Sequence, residues 1–158
     1  MSPHIVSDGA GGAIVVSETY TVKPVLRAQR VDRHGNILWD RSLRGIKVST
    51  AGDEQWNPVV VSDGAGGAYI GFDAMYIVGR YLEPPEPKYN RRAIIQRLDA
   101  QGNLLFGDKG LSLRDYPLDS TKEGGNVFIL LFLTAWAASM LCGLIPTTLP
   151  GPLCMQTV

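Results

Sequence analysis

The octapeptide VSDGAGGA occupies residues 6–13 and recurs, unchanged, at residues 61–68. Each copy follows an apolar, β-branched run, "IVS" or "VVVS", and precedes another, "AIVVS" or "AYIGF". Between the runs, Asp8 and Asp63 suit a turn, because a carboxylate accepts hydrogen bonds from the amides just ahead of it. Gly9, Gly11 and Gly12 in the first copy, and Gly64, Gly66 and Gly67 in the second, supply the positive φ of a tight hairpin. The octapeptide therefore reads as strand end, hairpin turn and strand start. Ala13 and Ala68 are small, as a crowded contact between sheets favours.

The duplication extends outward. Pro3 and Pro58 precede the two copies by the same distance, which sets a period of 55 residues. "QRVDRHGNILW" begins at Gln29 and "QRLDAQGNLLF" at Gln96. Two separate blocks duplicated in the same order mark an internal repeat. The second block reads as another hairpin. "VLRAQRVD" and "AIIQRLD" are third strands, and "ILW" and "LLF" are fourth strands. The turns between them use Gly35 and Asn36, or Gly102 and Asn103, as left-handed residues. Four short strands over about 50 residues, repeated, form an all-β pair of four-stranded antiparallel meanders of the propeller-blade kind. The expected divisions are repeat 1 over 3–57, repeat 2 over 58–116 with an inserted loop at 74–92, and a degraded third start at 117–126. A candidate transmembrane segment at 127–145 and a tail at 146–158 follow.

These paired motifs resemble the repeats of bacterial β-propeller proteins, many of them secreted or surface-attached, which carry Ser-Asp-Gly-Ala-Gly-Gly and then Gln-Arg-x-Asp-x-x-Gly-Asn in each blade. The resemblance covers roughly 3–113. It implies an architecture and no shared activity, so no catalytic residue carries over. Two repeats and part of a third fall short of the roughly four to eight blades of a closed ring. The chain reads as a fragment of a longer array or as one that self-associates through open sheet edges.

The 158 residues suffice for a real core, and 45% apolar content is ordinary. Net charge is zero, which gives no electrostatic pull toward nucleic acid. All fifteen basic and fifteen acidic residues lie at or before Glu123. Both cysteines, Cys142 and Cys154, lie beyond it, so the repeats hold no disulfide. The start, "MSPHIVSDG", has neither the basic nor the apolar region of a signal peptide.

Candidate sites are few. Asp8 to Gln29 spans 21 positions, whereas Asp63 to Gln96 spans 33. The extra residues fall at 74–92, where Tyr76, Arg80, Tyr81, Tyr89, Arg91 and Arg92 surround a rigid "EPPEP". Aromatics beside arginines suit a protein or glycan partner; the plainer reading is a solvated hairpin tip. The repeated aspartates supply one carboxylate per motif, which suits turn capping better than calcium. His4 and His34 stand apart from other metal-ligating residues, and no metal or cofactor is expected. Ser7 and Ser62 lack a nucleophile elbow, and "DGAGGA" leads into a strand rather than a dinucleotide-binding helix.

Residues 127–145 carry no charge and, as a helix of about 1.5 Å rise per residue, match a bilayer's hydrocarbon thickness. They read as a membrane anchor in contact with lipid. The competing reading makes "NVFILLF" the second strand of a third repeat. Arg114 and Lys122 would hold the repeats in the cytoplasm by the positive-inside rule, while the resemblance places them outside the cell, the reading preferred here. The expected function is non-enzymatic binding or surface structure at a membrane. The alternative is part of a propeller enzyme acting on glycans, which needs paired carboxylates that the motif turns do not offer.

Overall fold

Each octapeptide turn joins the first two strands of a sheet. The computed structural model describes residues 3–19, 22–40, 44–78 and 88–117. In the first repeat, β1 (His4–Ser7), β2 (Ala13–Glu18), β3 (Leu26–Val31) and β4 (Ile46–Lys47) pair in that order. In the second, β5 (Glu54–Ser62), β6 (Ala68–Val78), β7 (Lys88–Leu98) and β8 (Leu111–Pro117) do the same. Every pairing is antiparallel. The chain is all-β with two four-stranded antiparallel sheets. The segments at 118–126, 127–145 and 146–158 lie outside the described residues.

The two turns match bond for bond. Asp8 Oδ1 accepts the amides of Ala10 at 2.8 Å and Gly12 at 2.7 Å. Asp63 Oδ1 accepts those of Ala65 at 2.9 Å and Gly67 at 2.8 Å. Gly9, Gly11, Gly64 and Gly66 have positive φ, as a hairpin of this kind requires. Gly12 and Gly67 serve a different purpose. A Cβ on Gly12 would lie 2.2 Å from the Val31 carbonyl oxygen, and one on Gly67 2.3 Å from that of Leu98. These two glycines let the turn close against the end of the third strand.

The second motif departs from expectation at two points. Gly35 and Gly102 take positive φ, but Asn36 and Asn103 do not. The asparagines act through their side chains: each Nδ2 donates to the Oδ2 of Asp32 or Asp99 at 2.8 Å. "ILW" and "LLF" are also not fourth strands. Each makes one isolated bridge, Val31 to Ile37 or Leu98 to Leu104. The cause is the motif glutamine. Gln29 Oε1 accepts the amides of Trp39 and Asp40, and its Nε2 donates to the Asp40 carbonyl at 2.8 Å. Gln96 Oε1 accepts the Phe106 amide, and its Nε2 donates to the Gly107 carbonyl at 2.7 Å. A side-chain amide thus takes the place of a strand partner and holds this segment off the ladder. The true fourth strand resumes later, at Ile46 or Leu111.

Strand alternation puts apolar residues on the facing sides of the two sheets. Ile14, Val16, Leu26 and Ala28 from the first sheet pack with Val60, Ala68, Ile70, Phe72, Ile94 and Leu98 from the second in one cluster. Full burial of such a side chain is worth about 1.5–3 kcal/mol. Polar contacts fix the register between the sheets. Arg30 Nη1 and Trp39 Nε1 both donate to the Ala100 carbonyl, at 3.1 and 3.0 Å. Gln55, 1% exposed, accepts the Leu26 amide at 2.9 Å. Glu18 Oε1 accepts the Asn57 amide at 2.9 Å.

Candidate functional site

The extra residues of repeat 2 lengthen a hairpin. β2 and β3 have 6 residues each, while β6 and β7 have 11. Their register is unbroken from Ala68 opposite Leu98 to Val78 opposite Lys88. Tyr76, Tyr89, Arg91 and Arg92 therefore belong to strands. Arg80 and Tyr81 lie outside the described residues.

Alternation divides the candidates between two faces. Tyr76 is half-buried against the core between the sheets, and the Arg92 guanidinium lies 4.9 Å from its ring centre. Arg91, one residue earlier, points to the opposite face and pairs with Asp73. Tyr89 pairs with Ile77 in the ladder. The structure thus brings Tyr76 and Arg92 together and separates them from Arg91.

Arg91 belongs to a cluster that the sequence did not single out. Asp73 is 1% exposed. Its Oδ2 accepts hydrogen bonds from Arg91 Nη2 and, at 3.0 Å, from Asn57 Nδ2. Among the described residues Asp73 Oδ1 and Arg91 Nε have no hydrogen-bond partner. Asn57 has φ of 54° and sits where the β5–β6 register shifts, between Trp56 and Val59. Trp56, Asn57, Met75 and Arg91 line an open depression of about 260 Å³. Farther along this face lie Tyr69, Ala93 and Ile95, with Val59, Val61 and Phe106 packed against them. The Arg97 guanidinium lies 5.0 Å from the Tyr69 ring centre. On this face Tyr69 is buried, while Trp56 and Met75 are half-buried. One signal was available in the sequence: Asp73 is a lone carboxylate inside the apolar run "AYIGFDAMYIV".

Asp8, Asp32 and Asp99 are held ionised by the turns they build. Asp8 lies below its ordinary pKa because the Ala10 amide, then Arg30, then the Gly12 amide stabilise the anion against burial. The Asn36 side chain and amide lower Asp32, and those of Asn103 lower Asp99. The Ile77 amide and then Lys23 lower Asp53. Among the described residues no three His, Cys, Asp or Glu side chains form a metal-holding group. Nor is any described helix long and apolar enough to cross a membrane. Comparison with protein-family models, curated proteins and solved structures gives no match.

Proposed function

We propose that this chain is a non-enzymatic segment of β-propeller type that serves binding or surface structure at a membrane. One observation carries the reading: the duplicated motif residues are occupied in building turns and joining sheets. Asp8, Asp32, Asp63 and Asp99 cap backbone amides. Gln29 and Gln96 tie down the following segment, and Arg30 joins the two sheets. The repeats act as a scaffold, and the long β6–β7 hairpin presents a contact arm bearing Tyr76 and Arg92. Residues 127–145 hold the scaffold at lipid, with the repeats outside the cytoplasm.

Two measurements test this. The full chain is expected in the membrane fraction after carbonate extraction, and a chain without residues 124–158 in the soluble fraction. A full chain that stays soluble defeats the anchor. For the arm, the full chain is screened on immobilised glycans and peptides. Joint replacement of Tyr81, Tyr89 and Arg92 by alanine is expected to abolish any binding with little change in melting temperature. Binding that survives the triple change removes the arm from the function.

A further inference from the structure

The two repeats differ in charge at positions that their shared motifs bring into alignment. The octapeptides align Ser17 with Phe72, and the motif glutamines align Arg27 with Ile94. Gly45 and Gly110 align the fourth strands. Both have positive φ, and a Cβ on either would lie 2.7 Å from a third-strand carbonyl oxygen, that of Ala28 or Ile95. Lys47 therefore corresponds to Ser112, and Arg44 to Lys109. In repeat 2, Phe72 and Ile94 are buried between the sheets. In repeat 1 the same side of the sheet faces away from repeat 2, because Val16, Leu26 and Ala28 occupy the core and their neighbours alternate to the other side. Ser17 and Arg27 stand there in place of two apolar side chains, with Lys47 beside them.

The ladder sets these residues side by side. Arg27 lies opposite Ser17 on one flank and opposite Lys47 on the other. Cations directly opposite each other repel. Among the described residues no ion pair includes Arg27, Arg44 or Lys47. The Arg27 guanidinium is held in place: its Nη1 donates to the Gly45 carbonyl at 2.7 Å, and its other N–H groups have no partner among the described residues. Thr19, Val25, Arg27 and Arg44 line an open depression of about 350 Å³ on this side. The repeat itself does not require this cluster, since repeat 2 forms its sheet with Ile94 and Ser112 at the matching positions.

We infer that the depression beside Arg27 binds a phosphate group. A guanidinium offers paired N–H donors that match phosphate oxygens. A phosphate monoester carries about −1.5 to −2 charges at neutral pH and three strong acceptor oxygens, so it can engage Arg27, Arg44 and Lys47 together. A carboxylate or a sulfate ester brings less charge and leaves part of the cluster uncompensated. Binding also relieves the repulsion between Arg27 and Lys47. The group belongs to a dissolved phosphorylated molecule or to the headgroup of a lipid, and the chemistry of recognition is the same for both. The inference goes beyond the hairpin arm and the anchor and rests on neither.

Calorimetric titration of the full chain, held in a neutral detergent, tests it with two probes. Glycerol phosphate and dihexanoyl phosphatidate share the phosphate monoester and differ in their acyl chains. Saturable binding is expected. Arg27→Gln and Lys47→Gln are each expected to weaken it about tenfold, as the loss of one charge-assisted hydrogen bond does. Arg33→Gln removes an equal charge from the exposed turn after β3 and is expected to leave binding unchanged. Should Arg27→Gln lose its sheet signal by circular dichroism, Arg44→Gln, at an exposed position, reads the same site. No saturable binding of either probe overturns the proposal. Binding indifferent to the Arg27, Lys47 and Arg44 changes overturns it too, by placing the phosphate elsewhere. So does binding that Arg33→Gln weakens as much as Lys47→Gln, because the attraction is then one of general charge. With the site upheld, tighter binding of the phosphatidate assigns it to a lipid headgroup, and equal or weaker binding to a dissolved ligand. A chain that proves soluble is titrated without detergent, so failure of the anchor does not decide this result.

Discussion

Gly64 and Gly67 belong to the same turn but resist substitution for different reasons. Gly64 has φ of 73° and open space where a Cβ would go, so Gly64→Ala costs only the backbone strain, about 1–2 kcal/mol. Gly67→Ala drives a methyl into the Leu98 carbonyl and cannot be accommodated without opening the turn from β7. Its expected cost is larger, about 3 kcal/mol or more, in the range of single changes with a named steric cause. Urea unfolding reads the difference as a larger fall in midpoint for Gly67→Ala than for Gly64→Ala, with unchanged slope. The carboxylates make a second prediction. Asp8, Asp32, Asp53 and Asp99 are depressed in the folded protein, so the unfolded chain binds protons more readily. The stability they add is fully present above the ordinary carboxylate pKa of about 3.9 and is lost as pH falls through the lower folded values. Melting temperature is expected to drop in acid, and Asp32→Asn with Asp99→Asn to flatten that drop. The aspartate roles were legible because capping is a local rule, linking a carboxylate to amides two and four residues ahead. The role of Gly67 was not, because the obstacle is a carbonyl on a strand more than thirty residues away.

At the scale of the strand, Gln96 is the side chain on which the end of the repeat depends. It is 0% exposed and bonds the Arg97 and Phe106 amides and the Gly107 carbonyl. Gln96→Leu keeps the bulk and strands these groups, at about 1–3 kcal/mol for each one left buried and unpaired. Thermal unfolding is expected to show a loss of several degrees, since about 1 kcal/mol moves the melting point of a chain this size by about 2–4 °C. A melting point within one degree of the parent would show that the glutamine is dispensable. The first three strands of each repeat could be read from β-branched runs and turn chemistry. The fourth could not, because "ILW" and "LLF" look like strands while a glutamine ten residues before Trp39 or Phe106 takes the amide of that last residue. The Asp73–Arg91–Asn57 cluster was hidden for a related reason. Its members come from β5, β6 and β7, and only the pairing register brings them together.

For the molecule as a whole, Trp39 joins the halves. Trp39→Phe removes one donor to the Ala100 carbonyl and keeps most of the packing, an expected loss of about 0.5–1.5 kcal/mol. Trp39→Ala removes both, and calorimetry is expected to show the single transition of a coupled pair broadening toward two. The uncoupled half that melts first should be repeat 1, whose β2 and β3 are the shorter strands. The eleven-residue pairing of β6 with β7 has a consequence for kinetics. It is the longest uninterrupted ladder described, and its strands are consecutive in the chain, so the entropy lost in closing it is small. Hairpins of this kind zip within about 1–10 μs. Repeat 1 needs partners from Gln55 to Ala100 before its own inner face is covered. Folding should therefore nucleate in the second half of the duplication and condense the first half onto it, giving Ile70 and Ile94 high φ-values and Ile14 a low one. The half made earlier in synthesis would then wait, unfinished, for the half made later.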